Sequence, residues 1–515
     1  MLASYQKSRL AAYSVVFYLV LGAVAGLSQN VGNSGSINGT VLDSTGAVVA
    51  NATVEIRNPV SGFDRSTATD AAGRFSFTNI PFNPYHLTVR ASGFASYTQD
   101  VEPRSAVPVS IAITLQVSGS TTTVNVEAEG GDLVENDSTF HTDVDKNLFD
   151  KLPLESRSSS VSSLVTLSTP GIAADSNGLF HGLGDHAENS FVVDGQPITD
   201  QQSKVFSNQI PLDSIQSMEV ISGAPPAEYG DKTSVVINVT TQSGQGVTTP
   251  HGSLTASYGS FGSSDLGFTL AYGGQKWGNF ISVNGLNSGR FLDPPEFVVM
   301  HDKGNEENLF DRVDYQITPG DSIHLNFGYT RSWFQTPNSF DAQNATAWSG
   351  VTVQNGGLDP NGNVVGPADQ RSQIKTFNIA PSWTRLLSAA SVFSLGAFVR
   401  RDQYNYYPSA NPFADLSPNL QSETVGQNRT LTNAGLRSDI SYVKGIHNLK
   451  AGVTYEQTFL NENDALGIVN PTFNAPCLDA NGSPVFVGNP EVNDPANCAG
   501  ASTTNQALYP TPFSA

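Results

Sequence analysis

Cysteine is almost missing from this 515-residue chain, which holds two, Cys477 and Cys498. Both fall in one polar stretch, and in an exported chain they are expected to form a local disulfide, not a metal site or a redox centre. Charge is also scarce, at 14% of residues, and basic residues (26) are outnumbered by acidic ones (46) for a net charge of -20. A net-negative chain repels phosphate backbones, which makes nucleic acid a poor partner. Beyond the first 25 residues no apolar run reaches the length of a spanning helix, so a helical membrane protein is excluded. Catalytic signatures are lacking as well. The eight histidines are scattered and none sits in a His-Glu-x-x-His zinc motif. Gly182-Leu183-Gly184 has no alternating βαβ pattern around it and is not a nucleotide loop. No enzyme, metal or cofactor is expected.

What is present begins with an export signal over residues 1–25. Lys7 and Arg9 give a positive start, residues 10–22 an apolar run, and Ala23-Val24-Ala25 a small-residue cleavage site before Gly26. Forty-seven glycines and abundant Ser, Thr and Asn, with few helix formers, suit a mainly β exported protein.

Residues 35–118 carry short alternating runs separated by turn signals: Thr53-Val54-Glu55-Ile56, Arg74-Phe75-Ser76-Phe77, His86-Leu87-Thr88-Val89-Arg90, and Val109, Ile111, Ile113, Leu115. This spacing predicts a small antiparallel sandwich. Gly39-Thr40-Val41-Leu42-Asp43, Gly46-Ala47-Val48-Val49 and Thr69-Asp70-Ala71-Ala72-Gly73-Arg74-Phe75 resemble the carboxypeptidase regulatory-like domain. The resemblance implies a transthyretin-like β-sandwich of the carbohydrate-binding-like class, and no peptidase activity comes with it.

Residues 130–244 read as mixed α/β. One or two short helices are expected within 143–168, with Leu148, Leu152, Leu154, Val161, Leu164 and Leu167 as apolar positions. A strand and tight turn follow at Phe191-Val192-Val193-Asp194-Gly195, and a helix-like start running into a strand spans 210–223. Ala227-Glu228-Tyr229-Gly230 and a last strand at 235–241 complete the unit. In order and separation these resemble the plug domain of TonB-dependent receptors. A Gly-Gly pair usual before the last plug strand is replaced by Ser234-Val235. In the linker 119–129, Thr122-Thr123-Val124-Asn125-Val126-Glu127-Ala128 resembles a TonB box, which a periplasmic partner captures by adding a strand; as a bare sequence it also fits the last strand of the sandwich or a tether.

From residue 250 the pattern is that of a transmembrane β-barrel. Leu266, Phe268, Leu270 and Tyr272 alternate with small or polar residues, as do Ile323, Leu325, Phe327 and Tyr329, and Leu449, Ala451, Val453 and Tyr455. Short connections at 274–278, 318–321, 387–391 and 444–446 alternate with long polar ones at 287–308, 334–372 and 405–427. That sorting matches short periplasmic turns and long external loops. Roughly nine strands are expected, against about 22 in a plugged outer-membrane transporter. The chain is therefore expected to be a fragment whose barrel stops within an external loop.

The resemblance implies energy-coupled uptake across the outer membrane of a ligand too large for porins. It also implies a TonB-type periplasmic partner and contact with outer-membrane lipid. The expected plug residues are structural: Asp194 and Gly195 as a turn, Gly223, and Tyr229 with Gly230 as packing and turn. His181, Asp185 and His186 lie in a plug loop that a ligand can reach, although a solvated loop is the stronger reading. The alternative function is carbohydrate binding or adhesion through the sandwich, the long loops and the exposed aromatics Tyr404, Tyr406 and Tyr407, which fit an interface girdle at least as well, or a fragment that does not transport. An oligosaccharide is the slightly favoured ligand.

Overall fold

The computed structural model describes residues 34–59, 61–118, 139–149, 151–152, 160–174, 180–182, 190–198, 210–223, 225–230, 235–274, 276–292, 302–336, 369–409, 423–468, 477–478 and 484–485.

Period-two alternation builds the first unit. In β2 (Thr53–Asn58) Val54 and Ile56 are buried between exposed Thr53 and Arg57, and in β4 (Arg74–Ile80) Phe75 and Phe77 are buried between exposed Arg74 and Ser76. One sheet runs β4–β1 (Gly35–Asp43)–β7 (Val109–Leu115). The other runs β3 (Phe63–Ala68)–β2–β5 (Tyr85–Arg90)–β6 (Tyr97–Val101). Ile37, Val41, Phe63, Phe77, Leu87, Val89 and Ile113 fill the space between them. The antiparallel expectation needs one correction, because β1 and β7 run parallel. These strands begin and end the unit and are joined through all of it, so no hairpin forces them to oppose.

The second unit is a five-stranded sheet in the order β12 (Gln196–Ile198), β11 (Ser190–Val193), β14 (Val235–Thr241), β13 (Ile215–Ser222), β8 (His141–Asp145). All seven residues of β14 are buried, as expected of a central strand read as Val-Val-Ile-Asn-Val-Thr-Thr. Helices α1 (Lys146–Phe149) and α2 (Ser160–Ser168) lie within the expected helical stretch. Residues 143–145 are instead strand: Val144 enters the core opposite Met218, Asp143 is half-buried and Asp145 is itself buried. In α2, Val161, Leu164 and Val165 face the core, whereas Leu167 lies on the other side and is 50% exposed. The helix-like start of 210–223 is a single 3-10 turn, Leu212–Ser214. Two further short strands, β9 (Ile172–Ala174) and β10 (Phe180–Gly182), form a separate hairpin.

The third unit is one antiparallel sheet of nine strands in sequence order: β15 (His251–Tyr258), β16 (Ser264–Gly273), β17 (Trp277–Ser288), β18 (Gly304–Thr318), β19 (Asp321–Gln335), β20 (Arg371–Ser388), β21 (Ser391–Tyr407), β22 (Glu423–Lys444) and β23 (His447–Ile468). It is a partial β-barrel. Leu266, Phe268, Ile323, Leu325 and Tyr329 are exposed on its outer face, while Asp265, Thr269, His324 and Asn326 are buried on the inner one. The four short turns fall where the spacing predicts, between β16 and β17, β18 and β19, β20 and β21, and β22 and β23. One departure is that the β15–β16 connection, on the long-loop side, is also short (259–263).

Candidate functional site at the junction of the three units

The Asp194-Gly195 pair forms the two-residue hairpin turn between β11 and β12. Both residues have positive φ, 47° and 83°, as a primed turn requires. The turn aims the Asp194 carboxylate back at the end of β14. Its Oδ1 accepts from the Thr241 amide (3.0 Å), and its Oδ2 accepts from the Thr241 hydroxyl (2.6 Å).

The barrel wall then reaches in. Asn326 Nδ2 of β19 donates to Asp194 Oδ2 at 2.5 Å, and Arg312 Nη1 of β18 lies 3.5 Å from the same oxygen. Arg312 is fully buried and its fork is divided. Nε and Nη2 hold Asp314 (3.1 and 2.9 Å), two residues along and on the same face of the strand. Nη1 donates to the Thr241 carbonyl (3.1 Å) and hydroxyl (3.0 Å). Burial by itself would raise the Asp194 carboxyl, but Arg312 and the Thr241 hydrogen bonds outweigh it and hold it below the usual carboxylate range.

The sandwich contributes the third side. Asn79, at a φ of 58°, donates from Nδ2 to the Thr241 carbonyl (2.7 Å), and its Oδ1 lies 3.4 Å from Arg312 Nη1. One buried cluster thus joins residues from sandwich, plug and wall.

A second set of contacts surrounds it. Arg437 Nη1 of β22 donates to the Gly195 carbonyl (2.9 Å), while Arg437 Nη2 (3.2 Å) and Lys450 Nζ (2.5 Å) hold Glu228. Tyr229, beside Glu228, is buried against Val192, Ile221 and Val236, and burial pushes its hydroxyl well above its ordinary value. Gln196 and Asn378 exchange amide hydrogen bonds at 2.8 and 3.2 Å. At the short-turn end of the sheet, Arg104 donates to the Gly445 carbonyl (2.9 Å) and Ala106 and Val107 pack on Val392. The sandwich therefore sits on the short-turn side. Where the three units meet they border an open cleft of about 450 Å³, lined among others by Arg104, His141, Glu228 and Lys450. Asp143, 3.7 Å from His141 Nε2, is the main influence on that imidazole. Together with the Thr139 carbonyl it overcomes burial and raises the group to about 10.

The expected site residues are dispersed. Asp194, Gly195, Tyr229 and Gly230 lie in or beside the junction, whereas Gly223 follows β13 with a φ of 105° and open space around it. His181 is on β10, and Asp185 and His186 fall outside the described residues, as do Thr122 to Ala128, Ser234 and Cys498. Among the described residues no group of three or more His, Cys, Asp or Glu is placed to hold a metal. The exposed-aromatic expectation is corrected. Tyr404 is 6% exposed and packs with Phe291, Phe334 and Ile374, and Tyr406 is partly buried against that cluster, because both project to the inner face. Tyr407 stacks on Arg371. Arg312, Asn79 and His141 were not singled out from the sequence. The pair Arg312 and Asp314, two apart on a lumen face, was the available signal.

Residues 36–127 match the family model of the carboxypeptidase regulatory-like domain, and residues 151–235 match that of the TonB-dependent receptor plug domain. The TonB-dependent transporter Oar of Myxococcus xanthus is 26% identical over 243 residues, which is 44% of this chain and 22% of that protein. Among solved structures, the ferric-catecholate import receptor Fiu of E. coli K12 aligns with a TM-score of 0.47 at 14% identity, over 69% of this chain and 53% of that one. The ferric yersiniabactin uptake receptor FyuA of Yersinia pestis aligns with a TM-score of 0.46 at 15% identity, over 64% and 50%. The chain thus carries a carboxypeptidase regulatory-like domain followed by a TonB-dependent receptor plug domain, the order being the one read from the sequence, and it spans less than a quarter of the length of the transporter it resembles.

Proposed function

We propose that the chain acts in energy-coupled uptake across the bacterial outer membrane, as a receptor whose ligand is too large for porins. The observation that carries this reading is the plug seated against the inner face of a β-sheet whose outer face is apolar. Its seat is made of polar contacts, Asp194 with Arg312 and Glu228 with Arg437 and Lys450. A seat held by a few specific polar contacts can be shifted by whatever interacts differently with its two arrangements, which suits a part that must rearrange. The short-turn side, where the sandwich docks, is the periplasmic one. Residues 122–128 are the segment that a TonB-type partner captures by strand addition. Export by residues 1–25 and a Cys477–Cys498 disulfide belong to the same reading.

The test of the coupling is capture of the detergent-solubilised full chain by the purified periplasmic domain of a TonB-type protein. Val124→Pro removes a backbone donor from the segment and is expected to abolish capture. Equal capture of both proteins refutes the assignment of residues 122–128. The carbohydrate-binding alternative loses its aromatic support with Tyr404 and Tyr406 turned inward.

A further inference from the structure

On the outer face of the sheet the apolar band ends at a row of cations. Tyr329, Phe377 and Val399 are exposed apolar residues on β19, β20 and β21. Moving away from the short turns with the period of two, the next outward position is Arg331 on β19, Lys375 on β20 and Arg401 on β21. Arg331 is directly opposite Lys375, and Arg401 is opposite Phe377, one outward step from Lys375. Directly opposed and diagonal side chains of this kind are about 5 and 7–8 Å apart at Cβ.

Like charges so placed oppose one another unless an anion lies between them. Arg331 has a partial answer on its own sheet: Nη1 donates to Asn305 (2.7 Å) and reaches Glu307 (3.4 Å). Lys375 and Arg401 make no side-chain hydrogen bond or ion pair among the described residues. The contrast with Arg400 is direct. One residue away and facing inward, it is buried and held by Asp402 at 2.7 Å, and Thr376, next to Lys375, also bonds Asp402. The inner cations are neutralised by the chain, while the outer cluster keeps a net positive charge even after Glu307 is counted.

We propose that Arg331, Lys375 and Arg401 form a binding site for the phosphate groups of an outer-leaflet membrane lipid. This rests on the reading above that the sheet spans the outer membrane with its long connections outside. The apolar side chains below the cluster then meet acyl chains, and the cluster falls at the depth of the head groups. An anionic protein segment is a poorer occupant, since it would have to lie against the lipid-facing wall.

The full chain is purified from the outer-membrane fraction, exchanged into detergent, and mixed with diphosphorylated or dephosphorylated lipid A. Retained lipid is then read by native mass spectrometry. The wild type is expected to retain the phosphorylated form about ten-fold or more over the dephosphorylated one, and the triple variant R331Q/K375Q/R401Q to lose that preference. Lys375→Arg keeps the charge and is expected to keep the preference. Equal retention of the two lipids by the wild type, or an unchanged preference in the triple variant, overturns the site. Absence of both proteins from the outer-membrane fraction overturns the spanning reading, and the site with it. Fractionation reports that outcome separately from lipid retention.

Discussion

Arg312 Nη1 and Asp194 Oδ2 lie 3.5 Å apart with both side chains 2% exposed, although 118 positions separate them in the chain. One belongs to the wall and the other to the turn of the plug, and Asp314 and Asn326 complete the cluster. A buried pair of this kind is weak evidence for stability in itself, but removing one partner is costly because the other charge stays buried.

Arg312→Met therefore leaves Asp194 and Asp314 without their cation and is expected to loosen the seat by about 3–5 kcal/mol. Hydrogen exchange of the Thr241 and Asp194 amides in the detergent-solubilised chain reads the effect. The double variant Arg312→Met/Asp194→Asn should recover part of the protection. Unchanged exchange in the single variant contradicts a seat centred on Arg312.

Asn79→Ala removes the hydrogen bond to the Thr241 carbonyl and leaves that buried acceptor with only Arg312. The expected cost is about 1–3 kcal/mol, felt as easier separation of the sandwich from the plug. Faster proteolytic release of the sandwich from the membrane-bound chain is the predicted readout. A release rate equal to wild type means that the docking depends on Arg104, Ala106 and Val107 instead.

His141 is expected to carry its charge at neutral pH, since its folded value is raised from 6.5 to about 10. A raised folded value stabilises the charged form. The contribution of His141 to holding β8 is therefore full below about 6.5 and is lost as pH rises through about 10. A histidine carbon chemical-shift titration of the labelled chain should show a midpoint far above 6.5 that disappears in His141→Gln. A midpoint near 6.5 rules out the partnership with Asp143.

Close backbone packing at the start of the wall gives a sharper structural test. A Cβ on Gly278 would lie 2.0 Å from the Gln245 nitrogen and within 2.4 Å of two further main-chain atoms of Gly244 and Gln245, whereas one on Gly274 would meet only the Trp277 side chain, at 3.3 Å or more. Gly278→Ala is expected to lower the yield of folded chain in the outer membrane severely, and Gly274→Ala to lower it little. Equal yields contradict the packing of segment 244–246 against β17.

The units, their order and the faces of the strands were legible because period-two alternation is local, and Leu266, Phe268, Ile323 and Leu325 face outward as it demands. The four short turns were legible for the same reason. Asp194-Gly195 could be read as a turn from its residue types, but not the direction in which the carboxylate points. That depends on β14 ending at Thr241 beside it. Arg312 looks like any polar residue on a lumen face, and its role appears only when β18 and the plug meet. Asn79 sits in Thr78-Asn79-Ile80, a strand-like string, and its left-handed backbone is set by the tertiary contact. Sugar stacking and an interface girdle both require Tyr404 and Tyr406 to be exposed, and their inward direction is fixed by sheet register, which local alternation near a strand end does not reveal.

The measurement that tests the account most directly is a crosslink between plug and wall in the cell envelope. With Cys477 and Cys498 changed to serine, Gln196→Cys and Asn378→Cys replace two amides that lie 2.8 Å apart. A short bismaleimide is then applied to the outer-membrane fraction. A linked peptide joining positions 196 and 378 is expected in that fraction and is lost when the chain is unfolded before treatment. A chain present in that fraction without the link would contradict a plug seated on the inner face of the barrel wall.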